Sequence, residues 1–100
     1  MKKLYKIKSI LHAGRKGKRN TPRIDGRYPL RIGRIIELDT KDLFIGNQLV
    51  LDYVQDENGN DYRGMSLYCS MIKDWDYVYE NRIRVETINS IYEFEETEGE

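Results

Sequence analysis

Gln48-Leu49-Val50-Leu51-Asp52-Tyr53-Val54-Gln55-Asp56 is the stretch that decides the fold class. Leu49, Leu51 and Tyr53 alternate with Val50, Asp52 and Val54, the two-residue period of a strand with two different faces. Asp56-Glu57-Asn58-Gly59-Asn60-Asp61 follows it, and the Asn-Gly step suits positive φ, so a hairpin turn is predicted. Residues 62–70 then return as the partner strand. Met65, Leu67 and Cys69 are expected on one face, Ser66 and Tyr68 on the other.

Working outward toward the C-terminus, residues 71–79 read two ways. They alternate as a strand, yet Ile72, Trp75, Val78 and Tyr79 also make a helical stripe. Their Trp, Tyr and Val content favours the strand. Glu80-Asn81 predicts a turn, and Ile83, Val85 and Thr87 share one face of a strand over residues 82–87. Asn89-Ser90 bends the chain into a last short strand with Ile91, Tyr92 and Phe94. Residues 95–100 form an acidic tail expected to fray.

Toward the N-terminus, Asp39-Thr40-Lys41-Asp42-Leu43-Phe44 predicts a single helical turn capped by Asp39 or Thr40. Residues 30–38 read as a strand in which Gly33 breaks the alternation, the mark of a bulge or sharp bend. Residues 12–29 contain Gly14, Gly17, Asn20, Pro22, Gly26 and Pro29 and almost nothing apolar, so a long loop is predicted. Residues 3–11 make a first strand, with Tyr5, Ile7 and Leu11 on one face and Lys6 and Lys8 on the other. The sum is an all-β chain: one domain over residues 1–100, a small partly open β-barrel or curved antiparallel sheet of about five to seven short strands.

Composition sets limits on function. The chain has 100 residues, 39% hydrophobic and 34% charged, with no apolar run long enough to span a membrane. A domain of this size buries only about 60–65% of its unfolded surface. Its core is thin, and a homo-oligomer is expected to supplement it. Cys69 is the single cysteine, so no intramolecular disulfide forms, and a reducing compartment is the simplest reading. Lys6 and Lys8 interrupt Leu4, Ile7, Ile10 and Leu11 near the N-terminus, which therefore lacks a signal-peptide core; a cytoplasmic location is expected.

The net charge is zero, but it is split along the chain. Residues 1–34 carry 12 basic groups against one acid, Asp25, a net +11; residues 35–100 carry 5 basic groups and 16 acids, a net −11. Such asymmetry points to an electrostatic partner. The alternative is self-neutralisation. If the first strand lies beside the last, Lys6 and Lys8 face Glu93, Glu95 and Glu96 across a ladder. The loop cations from Arg15 to Arg23 have few acidic neighbours in sequence and fit that alternative less well.

The loop supplies the best anion-binding candidate. Gly14-Arg15-Lys16-Gly17-Lys18-Arg19-Asn20 offers close backbone approach and cationic donors for phosphate oxygens. It lacks the Gly-Lys-Ser/Thr ending of a nucleotide-binding P-loop. Arg23, Arg27, Arg31 and Arg34 extend it beside Tyr28, and Tyr28 or Trp75 is a candidate for stacking on a base. Eight tyrosines and one tryptophan are many for this length. Trp75, Tyr77 and Tyr79, with Asp74, Asp76 and Glu80, outline an acidic, aromatic interaction surface. One His and one Cys give no zinc spacing, and the Asp56 turn lacks the later glutamate of a calcium loop, since Leu67 stands there. Neither a cofactor nor a catalytic pairing of His12 or Cys69 is expected.

Gly33-Arg34-Ile35-Ile36-Glu37-Leu38, the run from Ile45 through Asn47 to Tyr53, and Val85-Glu86-Thr87-Ile88-Asn89-Ser90-Ile91-Tyr92-Glu93-Phe94-Glu95 together resemble short accessory proteins of phages and prophages in Gram-positive bacteria. The likeness covers about residues 30–96 and leaves the basic loop outside. It implies a non-enzymatic binder acting in the host cytoplasm, such as a sequesterer of nucleotide messengers or an inhibitor of a host defence protein, and it transfers no site residue. Two expectations follow. The first is a module that binds a phosphate-bearing anion, nucleotide or nucleic acid, through Arg15, Lys16, Lys18, Arg19, Arg23, Arg27, Tyr28, Arg31 and Arg34. The second is a protein-interaction or oligomerisation module that uses Trp75, Tyr77 and Tyr79.

Overall fold

The computed structural model describes residues 2–14 and 17–97. Six antiparallel strands run in chain order: β1 (Lys3–His12), β2 (Ile35–Leu38), β3 (Gln48–Gln55), β4 (Ser66–Tyr79), β5 (Arg82–Thr87) and β6 (Ser90–Thr97). Each pairs with the next, and β6 pairs back with β1, so the barrel closes. Closure leaves the all-β expectation intact and removes the partly open form of it. One helical turn, α1 (Tyr28–Arg31), covers one end, and a 3-10 turn (Thr40–Asp42) lies near the other.

The interior is filled rather than hollow, as expected for so few strands. Tyr5, Ile7, Ile10, Ile36, Leu49, Leu51, Tyr53, Ile72, Ile83, Val85, Tyr92 and Phe94 form the core, and Leu43, just after the 3-10 turn, joins it. Tyr92 and Phe94 stack with ring centroids 5.8 Å apart. Each fully buried aliphatic side chain contributes about 1.5–3 kcal/mol. Among the described residues these side chains occupy the barrel interior.

Several local expectations hold. The β3 alternation, with Leu49, Leu51 and Tyr53 buried, is as read. The turn after it has Gly59 at φ +85°, and Asp39 caps the 3-10 turn by accepting from the Lys41 N–H at 3.0 Å. β1 lies beside β6, with Lys6 opposite Glu95. Residues 71–79 are strand, not helix.

Other expectations need correction. In β1 the inward face is Tyr5, Ile7, Ile10 and His12; Leu11 is only half-buried. The register with β6 shifts between Ile7 and Ser9, so Lys8 is an extra residue and the alternation changes phase after it. Residues 30–38 are not one strand. Pro29 sits in the first turn of α1, where its missing N–H costs nothing, and β2 begins only at Ile35. The 12–29 stretch is not a free loop: α1 takes its end, and residues 20–23 return along β1 through Asn20 N–H to the His12 carbonyl, His12 N–H to the Thr21 carbonyl and Arg23 N–H to the Ile10 carbonyl, each 2.9 Å. β4 starts at Ser66, which leaves Met65 outside the strand and about half exposed. Residues 95–97 continue β6 against β1 instead of fraying, and residues 98–100 of the expected tail lie outside the described residues.

Candidate functional site

Arg19 and Arg23 are tied to the end of the barrel where β1 and β5 finish and β6 begins, whereas Lys3 and Lys8 lie along the β1–β6 seam. Arg15 and Lys16 lie outside the described residues. Three of the remaining candidate arginines are matched with acids. Arg19 grips Glu86 with two 2.8 Å bonds and also donates to the Ala13 carbonyl at 3.0 Å. Arg23 donates to both oxygens of Asp25, at 3.3 and 2.7 Å, and to Ser90 Oγ at 2.7 Å. Arg34 donates to Glu57 at 2.8 Å and lies 5.1 Å from the ring centroids of both Tyr53 and Tyr62. These bonds hold the Glu86, Asp25 and Glu57 carboxyls below their ordinary range. The loop cations are thus self-neutralised to a degree that sequence proximity did not indicate.

The close approach at Gly14 is also of another kind than expected. A Cβ there would meet the Ile88 carbonyl oxygen at 2.8 Å. The glycine admits the chain's own backbone at the 88–89 bend, not a phosphate.

Among the described residues, Lys18, Arg27 and Arg31 form no ion pair. Lys18 and Arg27 are exposed, whereas Arg31 is half-buried on α1. Its guanidinium carbon stands 4.7 Å from the Tyr28 ring centroid, and that of Arg23 stands 3.8 Å from the same ring. Tyr28 thus packs on the core with two cations against its ring. Beside it opens a small polar cavity of about 110 Å³ whose lining includes Arg31, Tyr68, Ser70, Asn89 and Tyr92. Tyr68 is 69% exposed, so its ring stands free at the rim. The Cys69 thiol donates to the Tyr92 hydroxyl at 3.3 Å, and burial raises the proton affinity of both groups. A second depression, of about 330 Å³, shares Asn89 and is lined by His12, Gly14 and Arg23. His12 Nε2 lies 3.9 Å from Asp25 Oδ1.

The expected acidic, aromatic residues lie on the far half of β4, where Asp74 pairs with Glu86 of β5. Trp75 is half-buried against the core and meets Tyr77 edge-on at 5.5 Å; Tyr77 and Tyr79 are exposed. Trp75 shares a shallow depression with Arg84 and with Glu86, the partner of Arg19, but does not line the cavity that holds Arg31. Ser70 and Asn89 were not singled out in sequence as ligand residues. The outward position of Tyr68 on its strand was legible, but its place on one cavity with Arg31 depends on α1, which the apolar pattern of residues 30–38 concealed.

Among the described residues, no group of three or more His, Cys, Asp or Glu side chains could hold a metal ion, and no helix is long and apolar enough to cross a membrane. No family model, curated protein or solved structure matches the chain.

Proposed function

We propose that this chain is a non-enzymatic, phage-type binding module for a small phosphate-bearing anion, held at the α1 end of the barrel with Arg31 as its principal cation. The observation that carries this reading is the state of Arg31. It is the half-buried arginine of the basic third with no acid against it among the described residues, and it faces a polar cavity. A guanidinium so placed offers several N–H donors to a phosphate or carboxylate, with Ser70 and Asn89 as neutral partners. The free Tyr68 ring at the rim suits stacking on a nucleobase. The cavity of about 110 Å³ fits a headgroup rather than a whole nucleotide, so the base would lie outside, along Tyr68.

A small ligand is favoured over a nucleic-acid strand because Glu86, Asp25 and Glu57 are interleaved with the arginines. Those carboxylates lower the field that a polyphosphate backbone would need.

Isothermal titration of the full chain with inorganic phosphate and a panel of mono-, di- and cyclic nucleotides tests the reading, preceded by native mass spectrometry for a co-purified anion. One nucleotide is expected to bind saturably with a shallow dependence on salt. Arg31→Met should weaken it about tenfold to a hundredfold, the worth of one charge-assisted hydrogen bond in a partly buried site. Failure of every nucleotide to bind, or equal binding by Arg31→Met, rejects the reading. A steep salt slope with single-stranded DNA would move it to nucleic acid.

A further inference from the structure

The far half of β4 has a free edge. β3 accompanies β4 only to the Gln48–Met71 pair. Next to it, Ile72 exchanges bonds with the chain just before β3: its N–H donates to the Asn47 carbonyl and its carbonyl accepts from Gly46 N–H, each 2.7 Å. Over residues 73–79 only β5 pairs with β4 among the described residues. An unpaired row of backbone groups is a template for another strand.

How the edge is occupied is informative. The register with β5 shifts between Ile72 and Asp74, so Lys73 is a bulge. Beyond it, the Trp75 N–H donates to Oδ1 of Asp74 at 2.9 Å and the Tyr77 N–H donates to Oδ1 of Asp76 at 2.8 Å. Each carboxylate folds back on the amide that follows it. Around these amides Tyr77, Val78 and Tyr79 are 53%, 40% and 65% exposed. The edge thus combines backbone donors, apolar contact area and negative charge.

We infer that the β4 edge over residues 73–79 is a docking strand for an extended, lysine- or arginine-rich segment of a partner protein, added to the sheet by backbone pairing. Carbonyls of the incoming strand take the Trp75 and Tyr77 N–H groups. The released Asp74 and Asp76 carboxylates then meet basic side chains of that strand, while Tyr77, on the opposite face, covers its apolar ones; a second register shift after Tyr77 returns Tyr79 to the face of the carboxylates. Charge decides the occupant. Two copies of this edge side by side would gather the Asp74 and Asp76 carboxylates of both chains in one short ladder, and like charges facing each other destabilise a strand pair. A basic strand meets the reverse situation. The inference rests on residues other than those of the anion site: β4 carries both, with Ser70 lining the cavity and the free edge beginning at Lys73.

Trp75 is the chain's single tryptophan, so its fluorescence reports on this edge directly. The probe is a blocked octapeptide of alternating lysine and valine, titrated into the full-length protein. Its controls are an alternating glutamate and valine peptide, and the lysine peptide N-methylated on every backbone amide. The lysine peptide is expected to give a saturable change that the glutamate peptide does not. The double variant Asp74→Asn with Asp76→Asn keeps an amide oxygen for each N–H but no charge, and should bind the lysine peptide about tenfold more weakly or worse. N-methylation should abolish binding, because it removes ladder hydrogen bonds and keeps the charge. The inference is overturned if the lysine peptide gives no saturable signal. It is equally overturned if the N-methylated peptide binds as well as its parent, since attraction would then be mere charge, or if analytical ultracentrifugation finds the wild-type edge already paired with a second copy.

Discussion

At the scale of single residues, Gly14 shows how a sequence motif can point at the right property and the wrong partner. Its lack of a side chain is needed for close approach, but the approaching atom is the Ile88 carbonyl oxygen. A backbone oxygen cannot swing aside as a flexible side chain can. Gly14→Ala should therefore cost about 1–3 kcal/mol in urea unfolding, the usual penalty of forcing atoms into a packed contact. If the variant is as stable as wild type, the contact between the start of the 14–27 segment and the 88–89 bend is not tight in solution. The arginines teach the same lesson. Their residue types were legible, yet their acid partners are 67 residues away for Arg19 and 23 for Arg34. No local window contains both members of such a pair, so the sequence overstated the free positive charge.

At the scale of elements, what was legible followed from period and turn chemistry. β3, its Asn-Gly turn, the cap at Asp39 and the break at Gly33 are all local features, and each appears where the residues place it. What was missed are phase changes. The bulge at Lys8 hides in a run where lysines alternate with apolar residues, and only pairing with β6 reveals which residue is extra. α1 hides because Leu30 and Ile32 read as strand residues, although they stand on the surface in the structure. Gly33 joins α1 to β2 at φ +94°, and its N–H donates to the Ile7 carbonyl at 2.8 Å. No atom lies within 4 Å of the position a Cβ would take. Gly33→Ala thus isolates backbone strain from crowding and should cost about 1 kcal/mol. A Gly33→Asn variant should lose less, since Asn tolerates the left-handed region. Equal losses for Ala and Asn would assign the cost to something other than φ.

For the molecule as a whole, the two oppositely charged parts of the chain are laced together by the fold. Lys3–Glu96, Lys8–Glu95, Arg19–Glu86 and Arg34–Glu57 each join a cation of residues 1–34 to an acid beyond residue 35. The first two close the β1–β6 seam, which is the arrangement expected if charge patterning chose the neighbouring strand. These pairs are exposed to varying degrees, so each adds little alone and salt weakens them. Their signature is in pH. The Arg34 bond holds the Glu57 carboxyl below its ordinary value in the folded chain, while in the unfolded chain it titrates near the usual carboxylate value of about 4.3. A carboxyl with a depressed folded value binds fewer protons when folded, so stability rises with pH through this range. The contribution is complete above about pH 5 and is lost as pH falls through the unfolded value toward the folded one. Arg34 also lies against Tyr53 and Tyr62, contacts that do not titrate in acid. The stability gap between wild type and Arg34→Met should therefore be constant from pH 8 to about pH 5, shrink on acidification, and level off at a residual set by the rings. A gap independent of pH would mean that Arg34 serves only to pack against the two tyrosines. A gap that vanishes in acid would mean that the ion pair is its whole contribution, and either result is read from the same series of thermal melts.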